Sequence, residues 1–260
     1  MILREELIRI ARLNRLTPYQ QEKHYIQIQI LRSIYSHTTR ELVFKGGSAL
    51  WITYRLNRFS EDMDFTLSGR VDLQRLSSMV KRDLELLGIR SRIRILKDDR
   101  YTYTFRIGAE GPLYTREIER CYVRVEVSRR EHPLMEPRII NIDTVYPDTP
   151  IFQVVVMSLE EMLAEKVRAI FTRMYARDVY DLWYMVERLK VMPRLKLIAS
   201  KLSTYGLRFS MEAFEGKVEE KRDIWTDELR PLVIGRVPPF EEAKSSILSA
   251  FRGMLALEHG

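Results

Sequence analysis

The spacing of apolar residues alternates between a helical period and a strand period along this chain. The helical period, with apolar positions three to four residues apart, covers residues 2–16, 18–36 and 73–87. A strict alternation of apolar and polar positions, typical of strands with one buried face, covers residues 89–96, 100–107 and 120–128. From Ser158 onward the helical period returns, and prolines and glycines mark its breaks. The pattern predicts strands in the first half and helices in the second.

Two shorter segments predict additional strands around a glycine turn. Residues 40–44 lead into the turn, and residues 58–67 follow it after a short helical stretch. Strands confined to one half of a chain and helices to the other are typical of an α+β protein with a separate helical region. We therefore expect one domain over residues 1–150 and a helical domain over residues 151–260.

The glycine turn and two acidic residues carry the clearest chemical signal. Gly46 and Gly47 let backbone N–H groups approach a phosphate closely, and Ser48 adds a hydroxyl donor at the start of a helix. Asp62 and Asp64 occupy alternate positions of a predicted strand, so both carboxylates project to one face. Two neighbouring carboxylates repel unless a cation lies there, and an oxygen-only pair suits Mg²⁺.

Neither half of this pattern is specific alone. Most Gly-Gly-Ser sequences are simple turns, and most Asp-x-Asp pairs lie on a solvated surface. Here residues 49–55 predict two helical turns between the motifs, which lets the turn and the carboxylates face each other. Apolar Met63 and Phe65 anchor the carboxylate strand in a core. The combination favours a phosphate and metal site.

These residues resemble the signature of the polymerase-β-like nucleotidyltransferase superfamily. The longer segments 44–50 and 58–65 are similar to one branch, the AbiEii-type nucleotidyltransferases, which are toxins of type IV toxin–antitoxin systems. The resemblance implies an α+β fold with a minimal polymerase-β-like mixed sheet and flanking helices over residues 1–150. It also implies that the helical domain over residues 151–260 completes the nucleotide site.

A third carboxylate, Glu126, lies on the polar face of the strand over residues 120–128. A solvent-facing glutamate is common at such a position. The resemblance implies a third acid from a strand next to the Asp-x-Asp strand, acting as a metal ligand or as the general base. Many nucleotidyltransferases use aspartate in this role, so Glu126 departs slightly from the pattern.

Lys166 lies inside the apolar stripe of a helix that begins with a capping box at Ser158. A cation in a buried face is costly unless it meets an anion. Arg173 and, if the helix continues, Arg177 fall on the same side. We expect Lys166 and these arginines to bind a triphosphate; the alternatives are a lysine that extends past its neighbours to solvent or one paired with a core carboxylate.

Two further motifs agree with the resemblance. Lys166 with Ala169, and Asp178 with Asp181, are similar to the Lys-x-x-Ala and Asp-x-x-Asp motifs of the AbiEii family. We expect Asp181 to orient Lys166 or an arginine within the nucleotide site. Asp178 is expected at the edge of the cleft or as the cap of the following helix.

Composition limits the function classes. The net charge of +7 favours a polyanionic partner, whereas a thermophile's abundance of charged residues would explain it without one. Clustering of basic residues in the first half, with Arg90, Arg92 and Arg94 on one strand face, favours nucleic acid. No apolar run is long enough to span a membrane, and the single Cys121 fits a reducing cytoplasm.

The sequence thus predicts a cytoplasmic, Mg²⁺-dependent nucleotidyltransferase, with Mn²⁺ as the alternative metal. It would transfer NMP from an NTP to a hydroxyl of RNA. From the resemblance, that hydroxyl is expected at the 3′ end of tRNA, and an AbiEi-like antitoxin is expected as partner. One alternative keeps the chemistry but uses a small-molecule or protein acceptor. Another is a nucleotide- or RNA-binding module without catalysis, against which the intact Asp-x-Asp pair argues.

Overall fold

The computed structural model describes residues 1–258, with side chains through residue 256, so the end of the predicted helical domain lies outside the described residues. The chain divides into unit 1, residues 1–55 and 59–157, and unit 2, residues 56–58 and the chain from Ser158 onward. The division falls slightly beyond the expected position at residue 150, because residues 152–156 form a strand of the unit 1 sheet.

Unit 1 is built on a mixed sheet of seven strands. The strands are β1 (Leu42–Lys45), β2 (Met63–Leu67), β3 (Ser91–Asp98), β4 (Thr102–Ala109), β5 (Cys121–Ser128), β6 (Arg138–Ile142) and β7 (Phe152–Val156). Their order across the sheet is β3-β4-β5-β2-β1-β7-β6. The pairs β2·β5 and β1·β7 are parallel, and the other pairs are antiparallel. This order places β2, which follows Asp62 and contains Asp64, in the middle of the sheet.

Four helices belong to unit 1. They are α1 (Arg4–Asn14), α2 (Pro18–His37), α3 (Gly46–Tyr54) and α4 (Leu73–Leu86). The predicted start of α2 is confirmed, because Thr17 and Gln20 form a reciprocal capping box ahead of Pro18. Helix α4 ends before Gly88, whose φ of +78° suits glycine.

One face of the sheet is apolar and is covered by α2 and α4. Val123, Val125 and Val127 of β5 are buried on this face, as their alternation predicted. Tyr103 of β4 also faces α4, and its hydroxyl lies 3.2 Å from the Ser77 hydroxyl. Polar side chains of the same strands therefore project to the opposite face.

Strands β6 and β7 were not predicted. The apolar run of β7, Val154 to Val156, is continuous because β7 is an inner strand, and such a run lacks the alternation that marks a half-buried strand. Strand β6 is a short edge strand of five residues. Its sequence, with Ile139 and Ile140 adjacent, does not alternate between apolar and polar residues.

Unit 2 is helical apart from an isolated bridge between Arg58 and Val233. Its helices are α5 (Leu159–Thr172), α6 (Ala176–Glu187), α7 (Leu195–Ser203), α8 (Met211–Glu219), α9 (Trp225–Leu229) and α10 (Phe240–Glu258). The stacked rings of Phe214 and Phe251, with centroids 4.5 Å apart, join α8 to α10. No helix in the described part of the chain is both long enough and apolar enough to cross a membrane.

Candidate active site

The glycine turn packs directly against the second carboxylate. Strand β1 delivers Gly46 to the start of α3, and its last residue, Lys45, pairs with Asp64 of β2. Gly46 has φ of +75°, and a Cβ added to it would lie 2.6 Å from Oδ2 of Asp64. Glycine is therefore required both by its backbone conformation and by the carboxylate beside it. The predicted proximity of the glycine turn and the aspartate strand is seen in unit 1.

The start of α3 has no side-chain cap. The N-cap residue of α3, Lys45, makes no side-chain capping hydrogen bond. The first N–H groups of a helix have no intrahelical partner, and the helix dipole favours negative charge there. A phosphate contact through the amides of Gly46 and Gly47 stays a prediction.

Ser48 is oriented differently from its predicted role. Its side chain is fully buried, and its hydroxyl donates to the Asp62 carbonyl and lies 3.0 Å from the Ser60 hydroxyl. The hydroxyl therefore fixes the segment before β2 in this structure. A contact between Ser48 and a phosphate stays a prediction.

Helix α2 holds the same segment from another direction. The Gln27 amide donates to the carbonyls of Ser60 and Glu61 at 2.9 and 2.8 Å. Lys23 lies 3.3 Å from the Glu61 carboxylate. Two elements distant in sequence therefore position the backbone just before Asp62.

Glu126 lies beside Asp64, because these two residues are paired in the parallel strands β2 and β5. Its carboxylate is 2.7 Å from the Arg124 guanidinium. Asp62 is exposed and Asp64 is half-buried. Oxygen donors of this kind, set against a glycine backbone, fit a hard cation such as Mg²⁺. Among the described residues, however, no group of three or more His, Cys, Asp or Glu side chains is gathered for a metal ion, so the ligand set stays a prediction.

Unit 2 contains a separate, buried cluster of charges. Lys166 of α5 lies 2.9 Å from Asp178 and 2.7 Å from Asp181, both on α6. The Arg58 guanidinium donates to both oxygens of Asp181 at 2.8 Å. We call these four residues the ion cluster. The side chains of its members are between 0 and 13% exposed.

The surroundings of Lys166 and Asp181 in the ion cluster favour their charged forms. Burial lowers the pKa of Lys166, but the two aspartates outweigh burial and raise that pKa above its usual value. Burial raises the pKa of Asp181, but Arg58 and Lys166 outweigh burial and lower it below its usual value. Two cations thus face two anions, which is the arrangement that a buried charge requires.

Asp178 and Asp181 both contact Lys166. Asp181 contacts both Lys166 and Arg58, whereas its expected part in a nucleotide site stays a prediction. Asp178 contacts Lys166 from within the first turn of α6, so it does not cap a helix. A contact between Lys166 and a triphosphate stays a prediction, because its ammonium is held by two carboxylates here.

Arg173 and Arg177 do not join the ion cluster. Helix α5 ends at Thr172, so the helical line from Lys166 to Arg177 is broken. Arg173 is exposed. Arg177 stacks on Tyr175 and lies 3.7 Å from Glu228. Their expected roles at a nucleotide remain untested predictions.

Residues 29–247 match the family described as the nucleotidyl transferase AbiEii toxin of type IV toxin–antitoxin systems. This match covers most of the chain. The protein belongs to the AbiEii nucleotidyltransferase toxin family. The predicted family is therefore confirmed. No curated protein matches the sequence.

Two solved structures share the fold of this AbiEii chain. The nucleotidyltransferase toxin MenT4 of Mycobacterium tuberculosis H37Rv has a TM-score of 0.69 and 17% identity, over 98% of this chain and 90% of that one. JHP933 from Helicobacter pylori has a TM-score of 0.66 and 20% identity, over 94% of this chain and 97% of that one. The α+β prediction, with a mixed sheet, flanking helices and C-terminal helices, is confirmed.

Two positioning residues of this AbiEii chain were missed in the sequence. Arg58 directly precedes apolar Phe59, and Leu56 lies two residues before it, so a nearby core is the one signal of a buried ion pair. Gln27 lies on α2 among buried positions on every side, where a polar residue signals a specific hydrogen bond. Neither signal names its partner, because both partners are distant in sequence.

Proposed function

We propose that this AbiEii-family protein transfers a nucleoside monophosphate from an NTP to the 3′ hydroxyl of RNA, with tRNA as the first candidate. Family membership supports a nucleotidyltransferase toxin. The metal, the NTP donor and the RNA acceptor are what we propose in addition. The observation that carries it is the packing of Gly46 against Asp64, which joins a phosphate-type turn to a metal-type carboxylate.

Asp62 and Asp64 are proposed to hold Mg²⁺, with Glu126 as a third ligand or as the general base. When bound, the metal would neutralise charge on the phosphates and lower the barrier to displacement. Gly46 keeps the Asp64 carboxylate in place by leaving no side chain between them. Ser48 and Gln27 keep the backbone before Asp62 in place through the hydrogen bonds described above.

The reaction is an in-line displacement. The acceptor hydroxyl oxygen forms a bond to the α-phosphorus, and the bond from that phosphorus to the pyrophosphate oxygen breaks. The hydroxyl proton passes to a base, for which Glu126 is the candidate, and pyrophosphate leaves. Backbone amides at Gly46 and Gly47 are proposed to orient the phosphates, so most of the catalysis would come from positioning and charge neutralisation.

The choice of RNA rests on charge and on the family. The chain carries a net charge of +7, and arginines line strands of unit 1. Added nucleotides at the 3′ end of tRNA would block aminoacylation, which would explain toxicity. The partner would then be an AbiEi-like antitoxin that restores growth without forming a tight complex, and both would act in the cytoplasm.

The test is to incubate the purified protein with Mg²⁺, each α-labelled NTP and total RNA. We expect label on RNA, at the size of tRNA, from the wild type and none from Asp64→Asn. Label on protein or on a small molecule, with none on RNA, would contradict the acceptor and keep the chemistry. No transfer of label to any acceptor would contradict the proposed function.

A further inference from the structure

Three arginines lie side by side across the polar face of the unit 1 sheet. Arg94 of β3 is paired with Arg106 of β4, and Arg106 is paired with Arg124 of β5. Directly paired residues of antiparallel strands project to the same face, so these side chains form one line, which we call the arginine row. Neighbouring strands lie about 4.8 Å apart, so the row extends roughly 10 Å between its outer Cα atoms.

The arginine row is unfavourable within the protein alone. Like charges directly opposite each other on a sheet are destabilising. Neither Arg94 nor Arg106 makes an ion pair with any residue that the structure describes. Arg124 has one carboxylate partner, Glu126, at 2.7 Å. Three cations therefore share one anion, and a polyanion would relieve their repulsion.

Neighbouring arginines of the predicted basic face behave differently. Arg90 lies 2.7 Å from Glu110, and Arg92 lies 3.7 Å from Glu117. The face expected from Arg90, Arg92 and Arg94 is thus partly neutralised within the protein. The arginines of the row therefore lie side by side on β3, β4 and β5, and not one after another along β3.

One member of the row is held in place by an aromatic ring. The Arg106 guanidinium lies 4.9 Å from the centroid of the Tyr122 ring. Gly108 leaves the space for that ring, since an added Cβ would lie 2.8 Å from Cε1 of Tyr122. Tyr122 is still 41% exposed. Ordered arginines beside an exposed aromatic side chain are typical of surfaces that bind single-stranded nucleic acid.

The arginine row ends next to the acids of the candidate site. Arg124 and Glu126 lie two residues apart on the same face of β5, and Glu126 is paired with Asp64. We propose that the arginine row binds the phosphate backbone of a single-stranded RNA segment just upstream of the accepting 3′ hydroxyl. This inference rests on the proposed function for its acceptor, but the binding itself requires neither metal nor nucleotide.

The test measures RNA binding without Mg²⁺ or NTP. The probe is a fluorescent single-stranded RNA of about 12 nucleotides, within the usual site size of such surfaces. The variant is the double substitution Arg94→Glu and Arg106→Glu, which leaves Glu126 and its partner intact. The matched control is Arg82→Glu on α4, an exposed arginine on the helix that covers the opposite, apolar face.

We expect the double variant to bind at least about ten times more weakly than the control at physiological salt. Each lost phosphate contact lowers the slope of log affinity against log salt by about 0.7 for a single strand, so the slope should fall by about 1.4. Equal melting temperatures of the two proteins would show that the double variant is folded.

Other outcomes separate this inference from the proposed function. Equal RNA affinity of the double variant and the control would overturn the arginine row as an RNA site. Binding of polyglutamate at the row, with no binding of RNA, would assign it to an acidic protein and also overturn the inference. RNA binding through the row without nucleotide transfer would keep the row and contradict the function. Nucleotide transfer by the double variant with an unchanged KM for RNA would keep the proposed function and contradict the arginine row as an RNA site.

Discussion

Two aspartate pairs of similar spacing lie in opposite surroundings. Asp62 and Asp64 in unit 1 are two residues apart, and they are exposed and half-buried, respectively. Asp178 and Asp181 in unit 2 are three residues apart, and their side chains are 4 and 0% exposed. Water can solvate the first pair, whereas the second pair needs charges from the protein.

The charges around each pair follow this difference. Arg58 and Lys166 balance the buried pair, so the ion cluster contains two cations and two anions. The partly exposed pair has neighbours of both signs, because Asp64 is paired with Glu126 of β5 on one side and with Lys45 of β1 on the other. Removing one member of a buried, balanced cluster is costly, whereas carboxylates that solvent reaches can bind a cation from solution. Spacing alone therefore does not separate a metal site from an internal ion network.

The largest expected difference between the two aspartate pairs is in nucleotide transfer activity. Asp64→Asn should lower nucleotide transfer by about 10³-fold or more, because metal neutralisation of phosphate charge contributes several kcal/mol. Its melting temperature should stay near that of the wild type, since asparagine has the size of aspartate and leaves no cavity beside Gly46. The measurement is label transfer to RNA alongside a thermal melt.

Asp143→Asn, at an exposed position after β6, is the matched control and should retain full activity. Undiminished transfer by the Asp64→Asn protein would contradict the metal assignment. A large loss of stability in that variant would give Asp64 the structural role expected of Asp181, and the proposed contrast between the two aspartate pairs would be wrong.

The next effect is on the stability of unit 2. Asp181→Asn would leave Arg58 and Lys166 with one buried anion, and breaking a buried pair in this way costs about 3–5 kcal/mol. Urea denaturation would measure the change in the free energy of unfolding. The control is Glu187→Gln, which removes an exposed pair with Lys190 and should cost less than about 1 kcal/mol.

A small effect for Asp181→Asn, similar to that of the control, would contradict the structural role of the ion cluster. A loss of nucleotide affinity without a loss of stability would instead support the predicted contact of Lys166 with a triphosphate.

A smaller effect concerns the glycine beside Asp64. Gly46→Ala places a non-glycine residue at φ of +75° and a Cβ 2.6 Å from Oδ2 of Asp64. The backbone conformation costs about 1–2 kcal/mol, and the contact displaces the carboxylate, so transfer should fall by more than stability alone explains. Gly88→Ala separates the two causes, because Gly88 has φ of +78° but no atom within 4 Å of an added Cβ.

Equal activity of folded Gly46→Ala and Gly88→Ala proteins would show that the approach of Gly46 to Asp64 is unimportant. Reduced activity in the first variant alone would assign the effect to the carboxylate.

The smallest effect uses a buried acid that has no ion pair among the described residues. Burial raises the pKa of Glu22 to about 6 from its usual 4.5, although the Leu113 N–H donates to it at 2.6 Å. The folded state therefore binds this proton more tightly than the unfolded state. Its stabilising contribution is present below about pH 4.5 and is lost as the pH rises through about 6.

Glu22→Gln should remove this pH dependence and raise the free energy of unfolding at pH 7 by up to about 2 kcal/mol. Urea denaturation at pH 4.5 and 7 would measure it, with the exposed Glu5→Gln as control. If the pH dependence of the Glu22→Gln protein equals that of the wild type, burial of this carboxylate is not costly, and the contrast between paired and unpaired buried acids fails.

Much of unit 1 near the candidate site could be predicted, because its signals are local. The start of α2 at Pro18 and the alternation of β5 were predicted from residues close in sequence, and both are seen. The glycine turn and Asp64 are separated by one short helix, which limits how they can be arranged. Glu126 was placed beside them through the resemblance, and its pairing with Asp64 needed the order of the sheet.

The rest could not be predicted, because it depends on contacts distant in sequence. The direction of the Ser48 hydroxyl depends on the Asp62 carbonyl, and the support from Gln27 depends on how α2 packs. The arginine row depends on the register of three strands. In the sequence, Arg94, Arg106 and Arg124 are separate positions on separate strands.

By itself, the sequence determined the family, the α+β class and the residues that carry the candidate chemistry, because motifs and periodicity are properties of neighbouring residues. The tertiary structure alone decided which charges are balanced: Arg58 and Lys166 neutralise Asp178 and Asp181 in unit 2. Electrostatic interactions depend on distance and burial, and both are established only when remote segments of the chain pack together.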